Sequence, residues 1–229
     1  MKNKETKKDL IGISIALIII FLWCGNLYYI FSKDWTAIRL FNIINFFLQI
    51  QLFTGLFITA HDAMHQTLAP HFLRVNNFIG AICTNLYAFF SFDKLKKKHY
   101  LHHQFVATDK DPDFSNENIF AWYGSFLKEY ISLQQIIGYA IAFNILKIFV
   151  DGRILIIFWI VPAIMSTSQL FYFGTYQPHN PHPLPNNIHK SRTQSRNHLW
   201  AFLSCYFFGY HFEHHDKPFV PWWELWKYK

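Results

Sequence analysis

Four long apolar blocks restrict this chain to helices that cross a membrane. The first, residues 10–30, contains no Asp, Glu, Lys or Arg, and similar blocks occupy residues 40–60, 131–150 and 154–176. At about 1.5 Å per residue, a helix of this length crosses the roughly 30 Å hydrocarbon core of a bilayer. The first block is too long for a secretory signal and lacks a small-residue cleavage site, so it predicts a membrane anchor. We therefore expect a single all-α integral membrane domain, residues 1–229, with about four transmembrane helices.

Basic residues gather on one side of the predicted spans. Lysines precede the first span, within a short tail of residues 1–9, and cluster at residues 94–98 between spans two and three. The short connections near residue 33 and at residues 151–153 carry few. The positive-inside rule therefore predicts that both termini and the long middle loop are cytoplasmic. This asymmetry accounts for the net charge of +7, and no motif supports a nucleic-acid partner.

Three groups of histidines lie at the cytoplasmic ends of the apolar stretches. They contain eight histidines: His61 and His65; His99, His102 and His103; His211, His214 and His215. Residues three and four apart share one face of a helix, so the members of each group point the same way. Packing so many imidazoles together without a metal would leave ring nitrogens short of partners. The pattern therefore predicts a histidine-rich metal site in a cytoplasmic cap.

The ligand type narrows the choice of metal but does not settle it. Histidine-only ligation suits zinc, copper or iron. Eight imidazoles exceed the three or four protein ligands of a single zinc, so two ions sharing the groups fit better. A bis-histidine haem protein is an alternative, although it needs no adjacent histidine pairs and would carry its ligands within the spans. A metal transporter would place ionisable groups at mid-membrane, whereas these histidines lie at span ends.

The surroundings of the histidines carry a family resemblance. Besides the three groups, the chain contains four short motifs: Asp111-Pro-Asp113-Phe114, Phe173-Gly-Thr-Tyr-Gln-Pro-His179, Phe208-Gly-Tyr-His211 and Pro221-Trp-Trp223. From about residue 40 onward, this string resembles the bacterial β-carotene ketolase family, within the membrane di-iron fatty acid desaturase and hydroxylase superfamily.

The resemblance implies an iron oxygenase of the bacterial inner membrane, with its active site on the cytoplasmic side. Such an enzyme uses two non-haem iron ions, dioxygen and electrons from a ferredoxin-type donor. It hydroxylates one carbon of a β-ring carotenoid twice, and the resulting diol loses water to give a 4-keto group. The eight histidines of the three groups correspond to iron ligands, and His179 is the candidate ninth. Asp62 and Asp113 are candidates for carboxylates that orient a ligand imidazole.

Three departures from the family pattern concern the surroundings of the metal ligands. Gln66 stands where the family usually has glycine, a His-Asn-Ala-Arg-Ser run reads His189-Lys-Ser-Arg192-Thr, and Asp216-Lys-Pro218 replaces Leu-His-Pro. They leave open a carotenoid 3-hydroxylase or a fatty-acyl desaturase acting on another apolar lipid. A non-enzymatic haem or metal-binding membrane protein is the alternative from another class.

The remaining polar residues near the groups have ordinary roles in this interpretation. Glu213 is expected to point away from the histidine face, toward solvent or the backbone. The other unmatched histidines, His71, His182 and His198, are expected to be interface or loop residues.

Overall fold

The computed structural model describes residues 2–33, 40–180 and 183–229, and its regular structure in these ranges is entirely helical. Helices α1 to α6 are Lys2–Phe31, Leu40–Met64, Leu73–Ala88, Phe92–Gln104, Ile119–Tyr130 and Leu133–Leu146. The continuous helix Gly152–His179 is α7, and it is followed by α8 (His198–Cys205), α9 (His211–Asp216) and α10 (Trp222–Leu225). The all-α prediction is confirmed.

Within the described ranges, three helical segments are long and apolar enough to cross a membrane: Thr6–Phe31, Leu40–Met64 and Gly152–His179. The third predicted span, residues 131–150, is shorter than expected, because α6 has 14 residues. At about 1.5 Å per residue it extends roughly 21 Å, less than a hydrocarbon core of about 30 Å. Side chains set its limits: Gln135 accepts from the backbone N–H and hydroxyl of Ser132, and Asp151 caps the start of α7. The apolar block therefore contains a turn that its composition conceals.

Helix α7 contains two π-helical segments. The first, Ile156–Ile160, ends just before Pro162, and the second, Tyr172–Tyr176, lies just before His179. Proline lacks a backbone N–H and crowds the preceding turn, and the wider π turn accommodates it within a continuous helix. An additional residue in a turn rotates everything that follows about the helix axis. The second segment thereby sets the face on which His179 lies.

The N-terminal residues predicted as a tail belong to α1, which begins at Lys2. Asp9 is fully buried and accepts a hydrogen bond from the backbone N–H of His71 at 3.1 Å, with the His71 Nδ1 at 3.0 Å. A Cβ on Gly12 would lie 2.0 Å from the carbonyl oxygen of Leu68, so only glycine permits this approach. The start of α1 is thus packed against the loop that follows the first histidine pair.

Polar contacts join the long helices inside the bundle. Asn26 of α1 donates to Gln49 of α2 at 2.7 Å, and Thr54 of α2 lies 2.8 Å from the hydroxyl of Ser166 and donates to Gln169 on α7. Among apolar helices, hydrogen bonds of this kind fix the rotation and register of neighbours. The same packing brings the C-terminal ends of α2 and α7 together, where His61 and His179 lie.

Candidate metal centre

Four segments of the chain deliver the histidines to one end of the bundle. His61 lies in the last turn of α2, and the backbone N–H of His65 still bonds to the carbonyl of His61 at 3.2 Å. Helix α4 carries the second group, α9 carries the third, and His179 is the last residue of α7. A spacing of four keeps His61 with His65, His99 with His103 and His211 with His215. His102 and His214 turn toward a different set of histidines, so the members of these two groups do not all point the same way as the sequence predicted.

The first cluster contains one histidine pair and members of both other groups. Ring nitrogens of His61, His65, His99, His103 and His214 all lie within 4.8 Å of one another. The Nε2 atoms of His65 and His99 are 2.6 Å apart, and those of His103 and His214 are 3.0 Å apart. No two consecutive residues of the chain contribute to it, so the adjacent pairs divide between two clusters.

The second cluster contains four buried histidines: His102, His179, His211 and His215. The Nε2 atom of His215 lies 3.1 Å from that of His102 and 3.0 Å from that of His211. His179 Nδ1 lies 3.0 Å from the carbonyl oxygen of Lys190. A hydrogen bond donated there fixes the tautomer and leaves Nε2 as a free lone pair.

The chemistry of both clusters fits a bound metal ion. The Nε2 atoms of His61 and His179, one in each cluster, are buried and have no hydrogen-bond partner among the described residues. With metal–nitrogen bonds of about 2.0–2.1 Å, ligand nitrogens lie within about 4.2 Å of each other, close to the observed spread. A shared cation would therefore satisfy lone pairs that the protein leaves unpaired.

Burial keeps most of these imidazoles neutral. Burial first, and neighbouring imidazoles second, lower the pKa of His103 to about 2. The same two causes lower the pKa of five more histidines: His65, His99, His211, His214 and His215. The neutral imidazole is the form that binds metals. The protein thus holds its nitrogens in the ligand state.

One carboxylate directly contacts a histidine of the second cluster. His102 Nδ1 lies 2.9 Å and 3.1 Å from the two oxygens of the buried Asp111. Burial opposes the charged form, but the hydrogen bond to Asp111 and the charges of Asp113 and Asp111 outweigh it and raise the pKa of His102. Backbone N–H groups of Ala107 and Asp113 donate to the same carboxylate. Asp111 therefore fixes the ring of His102 to a rigid loop.

The two carboxylates that the sequence singled out make other contacts. Asp62 lies 3.6 Å from His61 Nδ1, beyond hydrogen-bonding distance, and accepts from the backbone N–H of Trp222 at 2.9 Å. Asp113 lies 3.8 Å from His102 and accepts from the Tyr130 hydroxyl. The pKa of Asp113 is raised to about 6, and burial is the main cause of the increase. The Asp-Pro-Asp turn signalled a carboxylate, but only the folded loop shows which one faces the imidazole.

Glu213 does not face solvent, which was one of its two expected positions: it is buried, and one of its carboxylate oxygens has no partner among the described residues. His71 bonds to Asp9, and His198 lies 2.8 Å from the Tyr210 hydroxyl, so neither joins a cluster. His182 lies outside the described residues.

A cavity of about 540 Å³ leads to the clusters. Its outer wall includes Ile136 and Ile164, both 57% exposed on the apolar flank of the bundle. Its inner wall includes four histidines of the two clusters: His61, His99, His102 and His211. Small-molecule sites typically have volumes of about 300–1,000 Å³ and mostly apolar walls with few polar groups. This cavity suits an apolar molecule that enters from the bilayer.

Phe208 lies on the cavity wall next to the clusters. Its ring centroid is 4.9 Å from that of His61 and 5.5 Å from that of His211. A Cβ on Gly174 would lie 2.1 Å from a ring atom of Phe208. The glycine of the Phe-Gly-Thr motif therefore makes room for this ring, which the sequence did not identify as part of the site.

Comparison with known proteins agrees with this geometry. The family model for fatty acid desaturase matches residues 34–155 and 130–229. The chain is 38% identical to a zeaxanthin 4-ketolase of Chlamydomonas reinhardtii, over 97% of this chain and 54% of the relative. Two β-carotene ketolases of Paracoccus are also similar. The enzyme of strain PC1 is 42% identical over 76% of this chain and 73% of the relative, and the enzyme of strain N81106 is 35% identical over 96% of this chain and 93% of the relative.

The chain thus spans little more than half the length of the algal relative and nearly all of one bacterial relative. No solved structure matches it. With the family model covering most of its length, and bacterial relatives matched over most of theirs, the chain belongs to the fatty acid desaturase family and, within it, to the β-carotene ketolase group.

Proposed function

We propose that this protein is a membrane oxygenase that converts β-ring carotenoids such as β-carotene to 4-keto carotenoids. The observation that carries the proposal is the apolar cavity, open on the membrane flank, whose inner wall is formed by histidines of both clusters. A molecule dissolved in the bilayer enters such a cavity without crossing water. The names of the relatives, β-carotene and zeaxanthin ketolases, supply the substrate class.

In this proposal the nine clustered histidines hold two iron ions. The ligands of one ion are the histidines of the first cluster, His61, His65, His99, His103 and His214. The ligands of the other are those of the second cluster, His102, His179, His211 and His215. Bound iron supplies the activation of dioxygen, with electrons from a ferredoxin-type donor. The protein's own contribution is geometric: Asp111 orients His102, and the Lys190 carbonyl orients His179.

The proposed reaction balances over two turnovers at one ring carbon. Each turnover breaks one C–H bond, places one atom of dioxygen in a new C–OH bond, and reduces the other atom to water with two electrons and two protons. The resulting diol loses water: one hydroxyl gives up its proton, the other leaves, and a C=O group remains. The apolar wall holds the ring and excludes bulk water, while the histidines that line the inner end fix where the reactive carbon lies.

The lysine-rich start of α4 supports a cytoplasmic position for this end of the bundle. Lys94 and Lys97 are exposed there, immediately before the second histidine group. Under the positive-inside rule, both termini and the metal centre face the cytoplasm, where a soluble electron donor is available. In a bacterium this places the enzyme in the inner membrane.

The test is pigment analysis of β-carotene-accumulating cells that express the chain under air. We expect products that gain one oxygen and lose two hydrogens per converted ring. A His214→Ala variant that reaches the membrane in equal amount should give none, since it removes a ligand from the first cluster. Products that carry only ring hydroxyls would indicate a hydroxylase, and unchanged β-carotene with an iron-loaded protein would refute the carotenoid assignment.

A further inference from the structure

Six residues that line the cavity carry a hydroxyl group, and the structure separates them into two kinds. They belong to Tyr87, Tyr123, Tyr130, Tyr139, Thr167 and Thr175. Buried hydroxyls normally have a hydrogen-bond partner, because leaving one unpaired costs free energy. The partners of each hydroxyl therefore distinguish structural groups from those available to a ligand.

Five of the six are already paired with the protein. The Tyr87 and Thr167 hydroxyls lie 2.8 Å apart, and Thr167 also donates to the Ala163 carbonyl. Tyr123 pairs with Ser168, Tyr130 with Asp113, and Tyr139 with the carbonyl of Tyr87. These contacts join helices to one another, and they explain the five hydroxyls as structural.

Thr175 is the exception. The residue is buried, with 5% exposure, and its hydroxyl makes no hydrogen bond with any residue in the described part of the chain. Helical threonines commonly bond back to the carbonyl four residues earlier, as Thr59 and Thr167 do here. Thr175 lies in the π segment Tyr172–Tyr176 and does not. A donor and an acceptor on the cavity wall thus remain available.

Thr175 lies close to the metal centre along its helix. It precedes His179 by four residues in the same continuous helix, so the two share a face one turn apart. Its neighbour Gly174 abuts Phe208, whose ring packs on His61 and His211. Thr175 therefore belongs to the inner part of the cavity wall, together with Gly174, Phe208 and His211.

We infer that Thr175 binds the hydroxyl group of the half-oxidised ring and retains this intermediate for the second hydroxylation. The inference rests on the proposed function, in which the first turnover creates a C–OH group inside an apolar cavity. An apolar cavity offers that hydroxyl no water, so leaving it unpaired costs free energy unless a group on the wall forms a hydrogen bond with it. The hydroxyls of the other five wall residues are already paired with the protein. The second turnover then consumes dioxygen and two electrons as the first does.

The experiment compares Thr175→Val, Thr175→Ala and Thr175→Ser with the wild type in β-carotene-accumulating cells. The quantity measured is the ratio of 4-hydroxylated to 4-keto product at equal protein level. Valine and alanine remove the hydroxyl and should raise the ratio about two- to tenfold, the range that the loss of one hydrogen bond gives. Serine keeps the hydroxyl and should keep the wild-type ratio. Thr167→Val removes a wall hydroxyl that is already paired and should leave the ratio unchanged, whatever its effect on total product.

The outcomes separate the two claims. Wild-type cells without keto product would refute the proposed function. Keto product in the wild type, with an unchanged ratio in Thr175→Val and Thr175→Ala, would overturn the role of Thr175 alone. A ratio that rises equally in Thr175→Ser would also overturn it, since shape rather than the hydroxyl would then be responsible. Supplying the 4-hydroxylated carotenoid directly gives a second measurement: its use relative to β-carotene should fall in the valine variant and not in the serine variant.

Discussion

Asp111→Asn changes one buried carboxylate that joins a loop to His102. Each oxygen of Asp111 accepts from a backbone N–H at 2.9 Å, and both oxygens face His102 Nδ1. An asparagine amide has one acceptor and one donor end. One of the two backbone N–H groups would therefore face an NH₂ group in place of an oxygen, whichever way the amide turns.

The size of the effect follows from these contacts. A buried donor left without a partner costs about 1–3 kcal/mol. Removing a carboxylate that orients a metal-ligating histidine lowers metal affinity by about 10–100-fold. Because His102 belongs to the second cluster, the loss should fall on one of two ions, and the first cluster should keep its own.

The assay is anaerobic titration of the purified, metal-free protein with ferrous iron, in competition with a chromophoric chelator. The wild type should bind two ions per chain, and Asp111→Asn should bind one with unchanged affinity and one more weakly. Asp113→Asn is the matched control. The Asp113 carboxylate lies 3.8 Å from His102, beyond hydrogen-bonding distance, so the iron affinity of this variant should differ from that of the wild type by less than about threefold. Equal losses in both variants, or wild-type binding in Asp111→Asn, would refute the reasoning.

Three further perturbations test other features. Gln66 has a φ of 60°, a conformation that favours glycine, so Gln66→Gly should stabilise the protein by about 1 kcal/mol in thermal unfolding, whereas Gln66→Ala should not. Gly174→Ala should cost about 1–3 kcal/mol and displace Phe208, whereas Gly124→Ala, with no atom within 4 Å of the added carbon, should be close to neutral. Burial and neighbouring imidazoles hold the pKa of His103 near 2, below its unfolded value of about 6.5. Between these two pH values the unfolded metal-free chain therefore binds more protons than the folded one. The melting temperature of the metal-free protein should be highest above about pH 6.5 and fall as the pH drops. A melting temperature that stays constant between pH 7 and 5 would contradict this.

Local patterns explain why much of the architecture could be predicted. Apolar blocks of sufficient length indicated the spans at residues 10–30, 40–60 and 154–176, and a long helix lies at each of the three. The block at residues 131–150 contains a shorter helix, because Gln135 accepts from the backbone N–H of Ser132 at the start of α6 and Asp151 caps the start of α7. Composition averages over such contacts and does not reveal them.

Spacing along the chain determined which histidines share a helical face, and residue chemistry indicated a metal. Both are properties of near neighbours in sequence, so the chain alone carries them. The division of the histidines into two clusters, with His102 and His103 on different sides, depends on how α4 lies between α2 and α9. Three other features also depend on the folded structure. The contact of Asp111, and not Asp113, with His102 depends on the path of one loop, and the packing of Phe208 against Gly174 joins residues far apart in the chain. The place of Thr175 on the cavity wall, with its hydroxyl unpaired, depends on the helices around it. Only tertiary packing decides contacts of that kind, because their distances are set by the whole bundle and not by any local repeat.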